Sequence, residues 1–511
     1  MWKPVLVVPL IVAGLAVMPS AARAPAEDAA IVHLLNRISY GPRPADVERV
    51  RDLGIQAFIE QQLYPERIAD EGVQARLAGM TTLALSTSEL LERYQQPALQ
   101  ARRQRQQAAA NSAPGSVPER PMRDPNMQPP NQPLVELSEQ KLLRAIYGDR
   151  QLEQVLTDFW FNHFNVDARK GPVRFMLTEY EREAIRPHVL GGFRDLLGAT
   201  AKSPAMLFYL DNWMSAGDSE SRTQRQPLRP LRPQRPQRPP PPAPATNAAR
   251  RGLNENYARE LMELHTLGVD GGYTQKDVAE VARAFTGWTI RNPRVRGDFL
   301  FEPRIHDDRE KLVLGHRIRA GGIMDGEQVL DLLAAHPSTA TFVSTKLARR
   351  FVADTPPAPL VDRLAAQFTA SHGDLRRVMR TLLTSPEFLA PAFFSAKTKT
   401  PFEFVVSAVR AAGTPVDNAR PLNRALQELG MPLYQCQPPT GYKDTADAWV
   451  NTGALIARMN FAQTLASRQP TGVDPLAGLT VSDATRATIA RASTPAQALA
   501  LTLGSPEFQK R

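Results

Sequence analysis

Cysteine is nearly missing from this chain of 511 residues: Cys436 is the only one. One thiol can form no internal disulfide, so the fold must rest on core packing. The signatures of familiar enzymes are missing as well. There is no G-x-S-x-G elbow, no phosphate-cradling or dinucleotide-binding glycine run and no H-E-x-x-H zinc motif. Cys436 stands in a proline-rich loop with no neighbouring histidine, which leaves thiol catalysis without a base. Strand-like alternation is scarce, apart from a short hairpin expected around Thr289 to Phe301. Long hydrophobic runs are also missing. Val5 to Val17 is the longest apolar stretch, and it is too short for a comfortable membrane span.

What is present begins with a targeting signal. Lys3 forms a short basic start, Val5 to Val17 the apolar run, and Pro19 to Ala24 the small-residue cleavage region. Cleavage after Ala24 would leave Pro25 in an unfavourable place, so residues 1–22 are read as a Sec-type signal peptide, with an uncleaved anchor as the alternative. There is no twin-arginine pair and no lipidation cysteine near the cleavage region. The expected location is periplasmic or secreted. The net charge of +10 would suggest nucleic acid if it were spread over the surface. It is not spread. Between Ser221 and Arg251 there are eight arginines and no acidic residue, and five more lie between Ala101 and Asp124 against Glu119 and Asp124. The rest of the chain is close to neutral, so no nucleic-acid partner is expected.

These two basic stretches coincide with losses of periodicity, at about 96–133 and about 216–250, both read as disordered inserts. In the second, Arg229, Arg232, Arg235 and Arg238 recur every third residue among prolines. A polyproline II helix would align them on one edge, where they could meet an anionic envelope surface; a solvated spacer is the other reading. Elsewhere apolar residues recur with helical spacing. The expectation is an all-α, multi-helical globular body over residues 23–511, with at most a small β-hairpin, interrupted by the two inserts. A short echo, Ser385-Pro-Glu-Phe388 and Ser505-Pro-Glu-Phe508 with Ser203-Pro204 as a weaker copy, reads as repeated helix-start grammar.

One segment concentrates polar residues. Asn254, Glu255, Asn256, Arg259, Glu260, Glu263 and His265 fall within twelve residues of a helix-forming pattern. On a helix Glu255, Arg259 and Glu263 would form an i, i+4, i+8 ladder, with Tyr257, Leu261, Leu264 and Gly268 as the apolar stripe. The following Asp270 to Asp277 copies half of a calcium loop, but Thr266 and Gly268 stand where its first ligands belong. Gly268 ending one helix and Thr274 capping the next, with Asp277 completing a capping box, is the simpler account.

This segment, with others in order, is similar to the bacterial domain-of-unknown-function family 1800. The matching residues are Arg37, Gly41 and Pro42; Trp160 and His163 in DFWFNHFNV; the 251–278 segment with Thr286-Gly287-Trp288; and His306-Asp307 with Lys311 to Gly315. His336-Pro337 with Thr339-Ala340, Lys346-Leu347, Gly441-Tyr442 and Trp449 follow. The resemblance spans nearly the whole chain after the signal, and the two Pro/Arg-rich inserts depart from it. It implies exported bacterial proteins, often encoded beside a sulfatase-like family that would be a candidate partner, and it implies no activity.

The candidate polar cluster is therefore Arg37, His163, Asn254, Glu255, Arg259, Glu260, Glu263, His265, His306, Asp307 and Lys311. Two functions stay open. In the first, the protein is an extracytoplasmic binding or assembly factor for an envelope component. In the second, His163, Glu263, His265 and His306 converge on a divalent transition metal, Zn, Fe or Mn, and activate water for hydrolysis. Ion pairing of the same residues inside the core would favour the first.

Overall fold

Cap chemistry sets the helix starts, and burial decides which helices matter for a site. The computed structural model describes residues 25–110, 128–217, 252–468, 479 and 481–511. The expected signal peptide, residues 111–127 of the first expected insert and nearly all of the second lie outside the described residues. Eight helices position the features below: α1 (Pro25–Ile38), α2 (Gln151–His163), α3 (Glu255–Glu260), α4 (Gln275–Ala284), α5 (Ile323–Ala335), α6 (Pro337–Phe351), α7 (Pro401–Ala412) and α8 (Pro495–Gly504). Thr274 and Asp277 form the capping box expected at α4, and Thr400 with Glu403 forms another at α7. At α6 the His336 ring accepts the Ser338 N–H at 3.1 Å while Pro337 fills the first turn, which explains the His-Pro pair.

The fold is all-α in its body. Among the described residues there are two antiparallel hairpins. β1 (Trp288–Arg291) pairs with β2 (Asp298–Phe301) in the register Trp288 to Phe301, the hairpin read from sequence. β3 (Lys311–Val313) and β4 (His316–Ile318) form a second one that sequence patterning misses, because three-residue strands carry too little alternation. Its turn is Leu314-Gly315, at φ 49° and 76°, the double left-handed geometry of a two-residue hairpin loop.

Three expectations are corrected. Residues 96–133 are not aperiodic throughout, since Gln96–Ala110 is a helix. Its Gln, Ala and Arg are good helix formers even without an apolar stripe, and Gln96 donates to the Arg294 carbonyl at 2.5 Å. The echoed Ser-Pro-Glu-Phe motifs do not start helices at two of their places. Ser385 and Ser505 each accept the N–H of the phenylalanine three residues on, both at 3.2 Å, in isolated turns; only Ser203 heads a helix. The polar ladder also fails, for the reason given below.

Buried apolar side chains form one continuous core from Ile31 to Phe508, with a small satellite around Leu90, Leu91, Tyr94 and Phe175. Among the described residues no helix is long and apolar enough to cross a membrane. Unusually for a core, Arg37, Arg410 and Lys311 are among its largest fully buried side chains. Ionised groups in such places must find partners or raise the free energy of the fold.

Candidate functional site

The C-terminal end of α2 carries Asn162, His163 and, just beyond it, Asn165. The two asparagines hold a loop over the helix end. Asn162 donates to the Tyr442 carbonyl at 2.8 Å and accepts the Tyr442 N–H at 2.7 Å. Asn165 donates to the carbonyls of Cys436 and Pro438 at 3.0 and 2.8 Å. Gly441 sits at φ 72°, and a Cβ there would lie 2.3 Å from the Asn162 carbonyl oxygen. The Asn-His-Phe-Asn and Gly-Tyr motifs are thus two halves of one fastening. Together with α6 and the first turn of α7, they enclose a cavity of about 340 Å³.

His163 is buried in an aromatic nest, edge-on to Trp160 and Phe164. Its Nε2 lies 3.1 Å from the His265 carbonyl. A carbonyl only accepts, so Nε2 carries the proton and Nδ1 presents a lone pair. That Nδ1 has no hydrogen-bond partner, and neither has His265 Nε2. Burial pushes the His163 pKa well below its usual value, with the Lys346 and His265 charges adding. Burial and then Lys346 bring His265 to about 3. Both rings are neutral at pH 7, and their centroids stand 6.2 Å apart.

Lys346 is the residue the candidate cluster omitted. On α6, Phe342, Lys346 and Arg350 follow at four-residue spacing and share a face towards the cavity. Arg350 is ion-paired with Glu403. Lys141, also on the wall, is paired with Asp158 at 2.5 Å. Lys346 is half-buried; its ammonium makes no hydrogen bond or ion pair among the described residues and lies only near the Phe342 ring, 5.5 Å from its centroid. Burial, then Arg349, lowers its pKa to about 8. Among the described residues, the cavity wall thus carries a lysine without hydrogen bond or ion pair, Lys346, against aromatic surface from Phe159, Phe161, Phe342 and Tyr442. Phe342 also closes on the turn after His265: a Cβ on Gly268, at φ 83°, would meet its ring at 2.9 Å.

The other expected site residues scatter, for identifiable reasons. After α3 the chain takes a wide turn over Leu261–Thr266, in which the Leu267 N–H reaches the Met262 carbonyl. The extra residue breaks the i, i+4, i+8 alignment and turns His265 into the core. Arg259 therefore stays with Glu255, at 3.8 Å, and with Gln275, while Glu263 accepts from Tyr273 at 3.4 Å. Asn254 caps α3 and donates to the Leu210 carbonyl. Glu260 is half-buried, and burial, then Glu263, raises its pKa.

His306, Asp307 and Lys311 belong to a separate buried network that ties α4, β3 and α5 together. His306 Nδ1 faces the Thr286 carbonyl at 2.7 Å and Nε2 faces Asp325 at 3.1 Å. Lys311 donates to Asp325 and to the Asp307 carbonyl. Asp307 accepts from Arg283 and Arg309; burial would raise its pKa, but these guanidiniums hold it far below the carboxylate range. Both nitrogens of His306 are committed, so it is not a metal ligand in this arrangement. The expected His163, Glu263, His265 and His306 set does not converge, and among the described residues no three His, Cys, Asp or Glu side chains are grouped to hold a metal.

Arg37 is elsewhere again. It donates to the Phe393 carbonyl at 2.8 Å, while its Nε and Nη1 have no hydrogen-bond partner among the described residues. It stands behind a second cavity, of about 230 Å³, between α1, α7 and α8. The two cavities are separated by an ion network in which Glu403 meets Arg350 and, at 3.0 Å, Arg511. Burial would raise the Glu403 pKa, but Arg350 and Arg511 bring it to about 2.

Fold and site together define a helical protein with two cavities, each walled partly by buried cations. The family model described as a protein of unknown function (DUF1800) matches residues 33–510, and the chain belongs to that family. No curated protein and no solved structure matches it.

Proposed function

We propose that this protein is an exported binding protein of the cell envelope, and that the His163/Lys346 cavity seats an acidic sugar group. One observation carries this reading: Lys346 places an ammonium on the cavity wall with no ion-pair or hydrogen-bond partner among the described residues. A partly buried cation without a counter-ion is costly unless water or a ligand anion meets it. The aromatic walls suit the C–H face of a sugar ring. Export rests on the signal-like residues 1–22, and an envelope setting follows from it. A sulfatase-like exported partner, and contact of the Pro/Arg segment with an anionic surface, remain compatible with this reading and do not carry it.

The test is calorimetric titration of the full protein with glucuronate and with glucose. Saturable binding of glucuronate, absent for glucose and weakened about tenfold or more in Lys346→Met, is expected from the loss of one charged hydrogen bond. Equal behaviour of the two sugars, or unchanged binding in Lys346→Met, would refute the assignment.

A further inference from the structure

The second cavity holds a cation that the packing leaves unsatisfied. Lys399 is only 4% exposed, yet its Nζ has no hydrogen bond or ion pair among the described residues. It sits over the Phe508 ring, 3.8 Å from the centroid. The carboxylate whose charge it feels, Glu403, is already engaged by Arg350 and Arg511. Among the described residues the one carboxylate side chain on the cavity wall, Glu507, is also occupied, accepting from the Ser482 N–H at 3.0 Å and from the Thr485 hydroxyl. Behind Lys399 stands more positive charge: Arg458 donates to its carbonyl, and Arg511 and Lys510 are part of the wall. Val32, Phe394, Leu499 and Leu503 give the wall its hydrocarbon and aromatic part, beside the polar side chains of His33, Asn36, Ser395 and Ser407.

An ammonium without a counter-ion at one place and apolar surface from α1 and α8 at another fit an amphiphile with an anionic head. Bulk argues for a short one, because about 230 Å³ is below the roughly 300–1,000 Å³ of sites for drug-sized ligands. An inorganic anion would leave the apolar wall unused, and a neutral hydrocarbon would leave Lys399 unpaired in the dark of the core. We propose that this cavity is a binding site for a medium-chain carboxylate, with its head on Lys399 Nζ and its chain against α1 and α8. The site is separate from the His163/Lys346 cavity and does not depend on the reading given to it.

Octanoate is the probe, with octanol and acetate as the halves of its chemistry, titrated into the full protein by calorimetry and followed by thermal unfolding. Octanoate should bind saturably and raise the melting temperature, while octanol and acetate at equal concentration should not. Two variants locate the effect. Lys399→Met removes the charge but keeps the length, and should melt higher than wild type without ligand while losing octanoate affinity at least about tenfold. Ala29→Phe, on the half-buried rim of α1, fills the hydrocarbon end and should abolish binding with the helical circular dichroism unchanged. Octanoate without effect on the wild type, octanol acting as well as octanoate, or full binding retained in either variant would each overturn the proposal. Glucuronate binding, whatever its result, should be the same in Lys399→Met as in wild type; its loss there would mean that the two cavities are one site.

Discussion

Substituting Asp325→Asn asks whether the His306-Asp307…Lys311 motif is a fastener or a disused active site. The Asp325 carboxylate is fully buried and accepts from three donors: His306 at 3.1 Å, the Gly321 N–H at 2.6 Å and the Lys311 ammonium. Asparagine keeps the shape but removes the charge that balances Lys311, itself 1% exposed. Breaking a buried pair from one side costs about 3–5 kcal/mol. At about 2.1 cal/mol/K of unfolding entropy per residue, a cooperative unit of this chain's size should melt on the order of 5 °C lower. Lys311→Met should cost less, because Asp325 keeps His306 and the Gly321 N–H. The double variant Lys311→Met/Asp325→Leu should recover part of the loss, since apolar replacement of a whole buried pair is often neutral. The pH dependence has a definite sign. Burial works to raise the Asp325 pKa, but His306 and Lys311 bring it below the usual value. A depressed folded pKa gives stability that is complete above the unfolded value of about 3.9 and lost as pH falls through the folded one. The gap between wild type and Asp325→Asn should therefore close in acid. Urea and thermal unfolding from pH 3 to 8 measure all of this. A cost below about 1 kcal/mol for Asp325→Asn, under the range for breaking a buried pair, or a double variant worse than both singles, would refute the fastener reading.

Three further outcomes are expected. Gly441→Ala forces a Cβ to 2.3 Å from the Asn162 carbonyl at φ 72°, so it should lower the melting temperature and expose the 431–445 loop to limited proteolysis; an unchanged digestion pattern would contradict the clamp. Lys346, with its pKa brought to about 8, should acetylate at pH 8 faster than ordinary surface lysines near 10.4, and glucuronate should protect it. Mass spectrometry of peptides from timed acetic anhydride reactions measures the rate, and ordinary reactivity would remove the special status given to this side chain. EDTA treatment should leave unfolding unchanged in wild type and in His163→Ala/His265→Ala alike; a chelator-induced fall that Zn reverses, present only in wild type, would restore a metal to the two histidines.

Much of this architecture is legible in sequence, and what escapes has physical causes. The helical class, the β1–β2 hairpin and the Thr274/Asp277 cap follow from periodicity, turn residues and cap chemistry, which are local. Conjunctions are not local. Asn162 and Gly441 lie far apart in the chain, and nothing in either segment says that one will close on the other. The ladder Glu255, Arg259 and Glu263 fails on a single extra residue in one turn, which no spacing rule announces. His306 looks like a ligand until both its nitrogens are seen to be occupied. Lys346 looks like an ordinary helix lysine until its neighbours are in place. The one local hint is its position between Phe342 and Arg350 on a common face.

The polar residues that stand out in the sequence and the polar residues that stand out in the structure are therefore different sets, and the difference is informative. Arg410, Lys397 and Lys311 are buried cations whose donors are spent on carbonyls and carboxylates. Such groups specify the packing, and their cost is largely offset by those bonds. Among the described residues Lys346 and Lys399 have no such partners, although carboxylates stand within electrostatic reach of both. Those carboxylates are engaged elsewhere: Glu403 by two arginines, and Asp444 near Lys397 and Arg511 at 3.7 and 3.6 Å. A methionine would fill either position with less penalty, so packing alone does not account for a lysine at both. Each lies on the wall of a cavity, where something other than protein can supply the missing negative charge. If both Lys→Met variants melt higher than wild type while ligand binding falls in the matching cavity, the stability sacrificed at each lysine will have been traced to its ligand. If either variant melts lower, that ammonium is already satisfied within the fold, and the cavity beside it loses its claim to an anion.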